Sequence, residues 1–198
     1  MIKNQHIPYI DEVKNRNERI MWIGGKKLKD KCGFDGMISI YAPTLHSDDS
    51  KHDTFYKQLE EEFSEIKTKY GETIVILGDF NARIGKYKQE WEDIRGKFIS
   101  DYYGKCNESG LRLMNFCLDK KLCIANTYFQ KKQYGSFYHK SAKKFMTLDY
   151  CLVPRDCKQQ IKDCEISHTI NCWTDHWAIK CIFKSIKKLK TKKNKEHI

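Results

Sequence analysis

The chain has 198 residues and a formal net charge of +11, from 37 Lys and Arg against 26 Asp and Glu. That length suits one domain, or one domain with a tail, and 40% apolar with 13% aromatic residues can build a packed core, which excludes a wholly disordered chain. Apolar runs are short, as in Ile74-Val75-Ile76-Leu77, against the roughly 20 residues that span a bilayer, and the first residues carry no secretory stretch. The expected setting is therefore intracellular, nuclear or cytoplasmic, with no membrane partner.

In chain order, residues 1–18 read as an irregular charged segment, and the first 36 residues hold one strand, at 19–24. Residues 37–42 read as a buried strand ending at Pro43, and 44–51 as a loop. Phe55, Leu59, Phe63, Ile66 and Tyr70 recur every three to four residues, the mark of an amphipathic helix of about 17 residues stopped at Gly71. A β-branched strand at 73–77 follows, with Gly78-Asp79-Phe80-Asn81 at its C-terminal end. A polar loop with Gly85, Gly96 and Gly104 leads to a second helix near Ser109, with Leu111, Met114 and Leu118 as its apolar stripe. Strands are then expected at 123–127, 136–139, 146–153, 161–167 and 177–183. The alternation predicts a layered α/β (α+β) domain over 19–183.

The charge is uneven. Residues 184–198 contain Lys184, Lys187, Lys188, Lys190, Lys192, Lys193 and Lys195 against Glu196, a net charge of +6, which leaves +5 for the rest. The segment has little to bury and is expected to be a disordered lysine-rich tail: a phosphate-binding arm, a nuclear-import signal or a solubilising end. Nine cysteines, an odd number with no Cys-x-x-Cys, point to free thiols in a reducing compartment. His168 and Cys172 have the spacing of half a zinc site, with no second half of matching spacing.

Four segments place polar residues beside apolar strands: Tyr41-Ala42-Pro43-Thr44, Gly78-Asp79-Phe80-Asn81-Ala82, Leu148-Asp149-Tyr150 and Thr174-Asp175-His176. Ligands gather at strand ends and the adjoining loops. Three carboxylates, an Asn, a Tyr and a His suit one task. Carboxylate oxygens hold a hard cation such as Mg²⁺, which polarises a phosphoryl group and activates water; an Asp takes the proton of that water, and a His stabilises charge on the phosphate. Singly, Gly-Asp-Phe-Asn is as readily a turn, and Asp-His a surface pair. Asp149, within a strand, is costly to bury unpaired.

In that order the segments resemble the endonuclease/exonuclease/phosphatase family, and in particular the endonuclease domain of non-LTR (LINE-type) retrotransposons. The resemblance runs from about residue 19 to 183. It rests on Ile40-Tyr41-Ala42-Pro43-Thr44, the stretch Ile76–Gly85 containing Gly78-Asp79-Phe80-Asn81, Asn107-Glu108-Ser109-Gly110-Leu111-Arg112-Leu113, Ile124-Ala125-Asn126-Thr127, Thr147-Leu148-Asp149-Tyr150 and Thr174-Asp175-His176-Trp177. It implies a two-sheet, four-layer α/β sandwich and Mg²⁺- or Mn²⁺-dependent cleavage of DNA. Asp79 would activate water, with Asn81 positioning it and the scissile phosphate. Asp149 would orient His176 on the phosphate, Tyr41 would contact the phosphate, and Asp175 would help hold the metal. In the tail, Lys187, Lys188, Lys190, Lys192 and Lys193 are the candidate nucleic-acid contacts.

The chain departs from that pattern. The family's upstream Asn-bearing and Glu-bearing strands have no counterpart: Asn4, Asn15, Asn17, Glu12 and Glu18 match neither role. The N-terminal section of the sandwich is expected to be missing, which would expose apolar surface and leave cleavage weak or absent. Thr174 stands where Ser is usual, and Phe137 where Trp is frequent. Two other readings stay open: a non-catalytic nucleic-acid-binding remnant, and a phosphatase of the same fold family.

Overall fold

The structure, a computed structural model, describes residues 4–99, 104–167, 169 and 174–184. The tail beyond Lys184, and with it Lys187, Lys188, Lys190, Lys192 and Lys193, lies outside the described residues, as do His168 and Cys172.

The elements are β1 (Glu12–Asn15), β2 (Ile20–Gly24), α1 (Leu28–Cys32), β3 (Gly36–Tyr41), α2 (Asp49–Lys69), β4 (Ile74–Asp79), α3 (Glu108–Asp119), β5 (Leu122–Ile124), β6 (Phe137–His139), β7 (Lys144–Met146), β8 (Asp149–Pro154), β9 (Ile161–Ser167) and β10 (Ala178–Phe183). Six strands form one sheet in the order β1-β2-β3-β4-β8-β5. Only β3 and β4 are parallel, joined through α2; the other pairs are antiparallel. β9 pairs with β10, and β6 with β7, in separate two-stranded sheets. No helix among the described residues is long and apolar enough to cross a membrane.

Alternation along the strands gives the large sheet two apolar faces. On one, Ile20, Trp22, Ile38, Ile40, Ile76 and Leu152 pack against Phe55, Leu59, Phe63 and Ile66 of α2 and Leu113 and Met114 of α3. On the other, Val75, Cys123, Cys151 and Val153 pack against Ile161 and Cys164 of β9 and Ile179, Cys181 and Phe183 of β10. The small sheet packs on this second face over β4, β8 and β5. On the same face nearer β1, Val13, Met21 and Tyr41 are exposed while Ile23 is buried.

The departures from expectation have local causes. Residues 1–18, expected to be irregular, contain β1. It has no apolar pattern, and Val13 is exposed; the strand is held by its ladder to β2 and by ion pairs to α2, with Lys14 Nζ 2.6 Å from Glu65 and 3.0 Å from the buried Glu62. Helix α2 starts at Asp49 and takes in part of the stretch expected as a loop. In α3 the buried residues are Ser109, Gly110, Leu113, Met114, Phe116 and Cys117, while Leu111 and Leu118 of the expected stripe are exposed. The strand expected at 123–127 ends at Ile124 and becomes a 3-10 turn, Ala125–Thr127, closed by the Thr127 hydroxyl on the Ile124 carbonyl at 2.6 Å. The strand expected at 146–153 is two strands, β7 and β8, split at Thr147-Leu148.

The loop between β4 and α3 is fixed by a fully buried arginine. Arg95 donates to the carbonyls of Ile84, Gly85 and Gly96 at 3.1, 2.6 and 3.1 Å. Arg95→Met keeps the bulk but removes those donors. It is expected to lower stability by about 3–5 kcal/mol, read as a shift in the urea denaturation midpoint.

Candidate active site

Register assembles the centre. Tyr41 of β3 lies opposite Asp79 of β4, and Asp79 lies opposite Asp149 of β8, so the three stand in one row across neighbouring strands. Gly78 allows this close approach: it has φ +149°, and a Cβ there would sit 1.9 Å from the Ile40 carbonyl oxygen.

Beyond Asp79 the chain turns sharply. Asn81 adopts φ +47°, a left-handed conformation that Asn tolerates better than most residues. Its backbone N–H donates to Asp79 Oδ1 at 2.8 Å, and its side-chain amide donates to the Ala42 carbonyl at 2.9 Å. The turn is thereby tied to the Tyr41-Ala42-Pro43 segment. A second tie comes from the Asn107-Glu108-Ser109-Gly110 phrase. The Asn107 side-chain oxygen caps α3 by accepting from Gly110 N–H and also accepts from Arg83 N–H, at 2.8 and 2.9 Å. A Cβ at Gly110 would lie 2.0 Å from the Arg83 carbonyl oxygen, so glycine lets the helix end come this close.

Asp149 is held through its backbone. Ser136 Oγ accepts from the N–H groups of Leu148 and Asp149, both at 3.1 Å, and Asn126 donates to the Asp149 carbonyl while accepting from Cys151 N–H. The same β6 edge holds His176: Trp177 N–H donates to the Ser136 carbonyl at 2.7 Å, Phe137 bridges to His176, and the two rings lie 4.9 Å apart. The Thr174 hydroxyl accepts from His176 N–H at 3.1 Å. Thr174 and Phe137, the two substitutions noted in the sequence, therefore hold His176 in place. Ser136→Ala is expected to cost about 1–3 kcal/mol by leaving one buried and one part-buried N–H group without their acceptor, measured by thermal or urea denaturation.

His176 Nδ1–H donates to Asp149 Oδ2 at 2.9 Å, and its Nε2 lies 3.8 Å from Asp79 Oδ2. The three side chains have their ligand atoms within 4.8 Å of one another. Burial, and then the nearby Asp149 charge, push Asp79 up to about 6. The hydrogen bond to Asp149 raises His176 above its ordinary 6.5, with the charges of Asp149, Asp79 and Asp175 adding to it. The two carboxylates thus favour the imidazolium form of His176 more than water does. The two carboxylates supply hard oxygen donors that suit Mg²⁺ or Mn²⁺, while a protonated imidazole leaves no nitrogen lone pair for the ion.

A model of the endonuclease/exonuclease/phosphatase type, described as endonuclease-reverse transcriptase, matches residues 36–180. The chain belongs to this family. Relatives include craniofacial development protein 2 of Tragulus javanicus and of Bos taurus, each 29% identical over 142 residues, or 71% of this chain. The chain spans about a quarter of those proteins, 24% and 23% of their lengths. Among solved structures of the fold, the 3'-5' exonuclease NExo of Neisseria meningitidis has a TM-score of 0.60 at 16% identity, over 88% of this chain and 72% of that one. The endonuclease domain of TRAS1, a telomere-specific non-LTR retrotransposon, has a TM-score of 0.55 at 14% identity, over 89% and 68%. An AP endonuclease of Archaeoglobus fulgidus has 0.54 at 14%, over 88% and 71%.

Within this member of the family, Asp79, Asp149 and His176 are brought together, with Asn81 and Tyr41 beside them. Asp175 is exposed and stands outside the three-residue cluster. It lines an open cavity of about 620 Å³ with Tyr138, Lys140, Phe145, Thr174 and Trp177. A second cavity, of about 370 Å³, is lined by Asn81, Arg83, Asn107 and His139 among others. Neither Glu12 nor Glu18 enters the cluster: Glu12 accepts from Tyr70 and Lys69, and Glu18 is exposed beside Arg19. Sequence reasoning missed Arg19, whose guanidinium donates to the Tyr41 carbonyl and lies 5.3 Å from the Tyr41 ring centre. It also gave no role to Ser136 or Asn126. A lone arginine before a short strand and a serine before another carry no pattern that would have found them.

Proposed function

We propose that the chain cleaves phosphodiester bonds of DNA with a divalent metal, as an endonuclease of the retrotransposon type. The observation that supports this best is the His176–Asp149 hydrogen bond with Asp79 at the other imidazole nitrogen. The carboxylates of Asp79 and Asp149, with Asp175 adding negative charge beside them, would hold Mg²⁺ or Mn²⁺. Such an ion supplies phosphoryl polarisation and a more acidic water. Asp79, once ionised, takes the proton of the attacking water. His176, kept protonated and aimed by Asp149, offers its Nε2–H to the oxygen that gains charge as the phosphorus is attacked. Asn81 and Tyr41 position the phosphate, and Arg19 places a cation at the same strand end. The lysine tail would add backbone contacts with no sequence preference.

A second reading, non-catalytic nucleic-acid binding, is favoured by one observation: among the described residues no glutamate joins the cluster. The phosphatase reading has no such observation behind it. Supercoiled plasmid separates the first two. Nicking that requires Mg²⁺ or Mn²⁺ and stops in EDTA supports the endonuclease. Metal-independent binding without nicking, weakening steeply with salt, supports the binder.

A further inference from the structure

Three cysteines far apart in the chain meet behind the candidate active site. Cys151 lies on β8, Cys164 on β9 and Cys181 on β10, and Cys164 and Cys181 are direct cross-strand partners. Their sulfur atoms all lie within 4.8 Å of one another. Zinc–sulfur bonds of about 2.3 Å place ligand sulfurs about 4 Å apart, so small side-chain adjustments would complete a shared site. Cys151 and Cys164 are buried, and Cys181 is partly exposed, which offers a path from solvent. The surroundings are apolar: Val75, Val153, Ile179 and Phe183 belong to the same cluster. Buried cysteines often pack simply as small hydrophobic side chains. Here, though, three converge from two sheets, and they are the only all-thiol group of this kind among the described residues.

We propose that Cys151, Cys164 and Cys181 bind one Zn²⁺ ion as thiolates, at a site distinct from the Asp79–Asp149–His176 centre. Binding displaces the remaining thiol protons to solvent, involves no redox change, and leaves a net charge of −1 at the site. A monovalent soft ion such as Cu⁺ would leave −2, a poorer match to apolar walls, so the divalent ion is favoured. The fourth coordination position would be filled by water on the Cys181 side. The consequence is mechanical. Cys151 is two residues beyond Asp149, and β10 begins two residues beyond His176. Zinc would therefore fasten the strand that carries Asp149 to the strand that follows its hydrogen-bond partner.

The test uses the reduced full chain. Titration with Co²⁺ is expected to give an intense near-ultraviolet sulfur-to-cobalt charge-transfer band that saturates at one ion per chain and is abolished by Zn²⁺. Co²⁺ held by the carboxylate and imidazole groups gives no such band, so the two sites are told apart on the wild-type protein. Cys181→Ser, at the most exposed position, is expected to weaken Zn²⁺ binding by at least about 100-fold. Cys123→Ser, in the same apolar cluster but outside the triad, should leave it unchanged. Absence of the band in the reduced wild-type chain, or a band that persists undiminished in both Cys181→Ser and Cys164→Ser, would overturn the proposal. Neither result bears on DNA cleavage, which is read separately.

Discussion

Asp79→Asn is expected to stop plasmid nicking and, in metal-free protein, to raise stability at neutral pH. The loss of activity should be about 10²–10⁴-fold, the range for a general base. The gain in stability follows from the environment of Asp79, where burial and the neighbouring Asp149 charge push the carboxyl up to about 6. A raised carboxyl means that the folded protein holds this proton more tightly than the unfolded chain, whose carboxyl titrates near 3.8. The associated stabilisation is fully present below that lower value and is lost as pH rises through about 6. At about pH 7.5 the ionised side chain therefore costs on the order of 1–3 kcal/mol. Asparagine can still accept from Asn81 N–H and carries no charge. In EDTA, urea denaturation should show the variant to be more stable than wild type at about pH 7.5, with the gap closing towards about pH 4. An equal gap at both pH values would mean that charge is not its source.

Gly78→Ala is expected to have the largest effect on folding. The added methyl would meet backbone, the Ile40 oxygen at 1.9 Å and its carbon at 2.9 Å, and φ is +149°. Neither atom can swing aside as a side chain would. Relief requires opening the β3–β4 ladder where Ile40 pairs with Gly78 and Tyr41 with Asp79. The expected loss is about 4 kcal/mol or more, a size reached only by such backbone collisions and comparable core faults. Gly33→Ala is the control. It has φ +87°, but its Cβ would meet only Phe183 side-chain atoms, the nearest at 3.7 Å, so it should cost about 1 kcal/mol. Chemical denaturation of the two variants side by side checks the difference.

The site was legible in the sequence to the extent that local chemistry marks it. Gly78-Asp79-Phe80-Asn81 needs a glycine for close approach and an asparagine for a left-handed turn, and both requirements fall within one four-residue phrase. Asp149 stands out as a carboxylate within an apolar strand, and its partner His176 explains how it is accommodated. What was hidden depends on which strands become neighbours. β1 has no apolar alternation because pairing and ion pairs to α2 hold it. Ser136 acts through two backbone N–H groups more than ten residues away in the chain. The cysteine triad could not be found from spacing, because its members come from β8, β9 and β10 and meet only when the small sheet packs on the large one. In α3, Leu111 and Leu118 fit a helical spacing as well as the buried Gly110, Leu113 and Cys117 do, so spacing alone does not single out the buried stripe.

The central claim is that His176 and Asp149 act as one unit on the scissile phosphate. The most direct test is the rate of plasmid nicking in Mn²⁺ for wild type, Asp149→Asn, His176→Ala and the double variant. A unit predicts strongly non-additive losses, with the double variant little slower than His176→Ala alone. Losses that multiply, or nicking at the wild-type rate in either single variant, would contradict it.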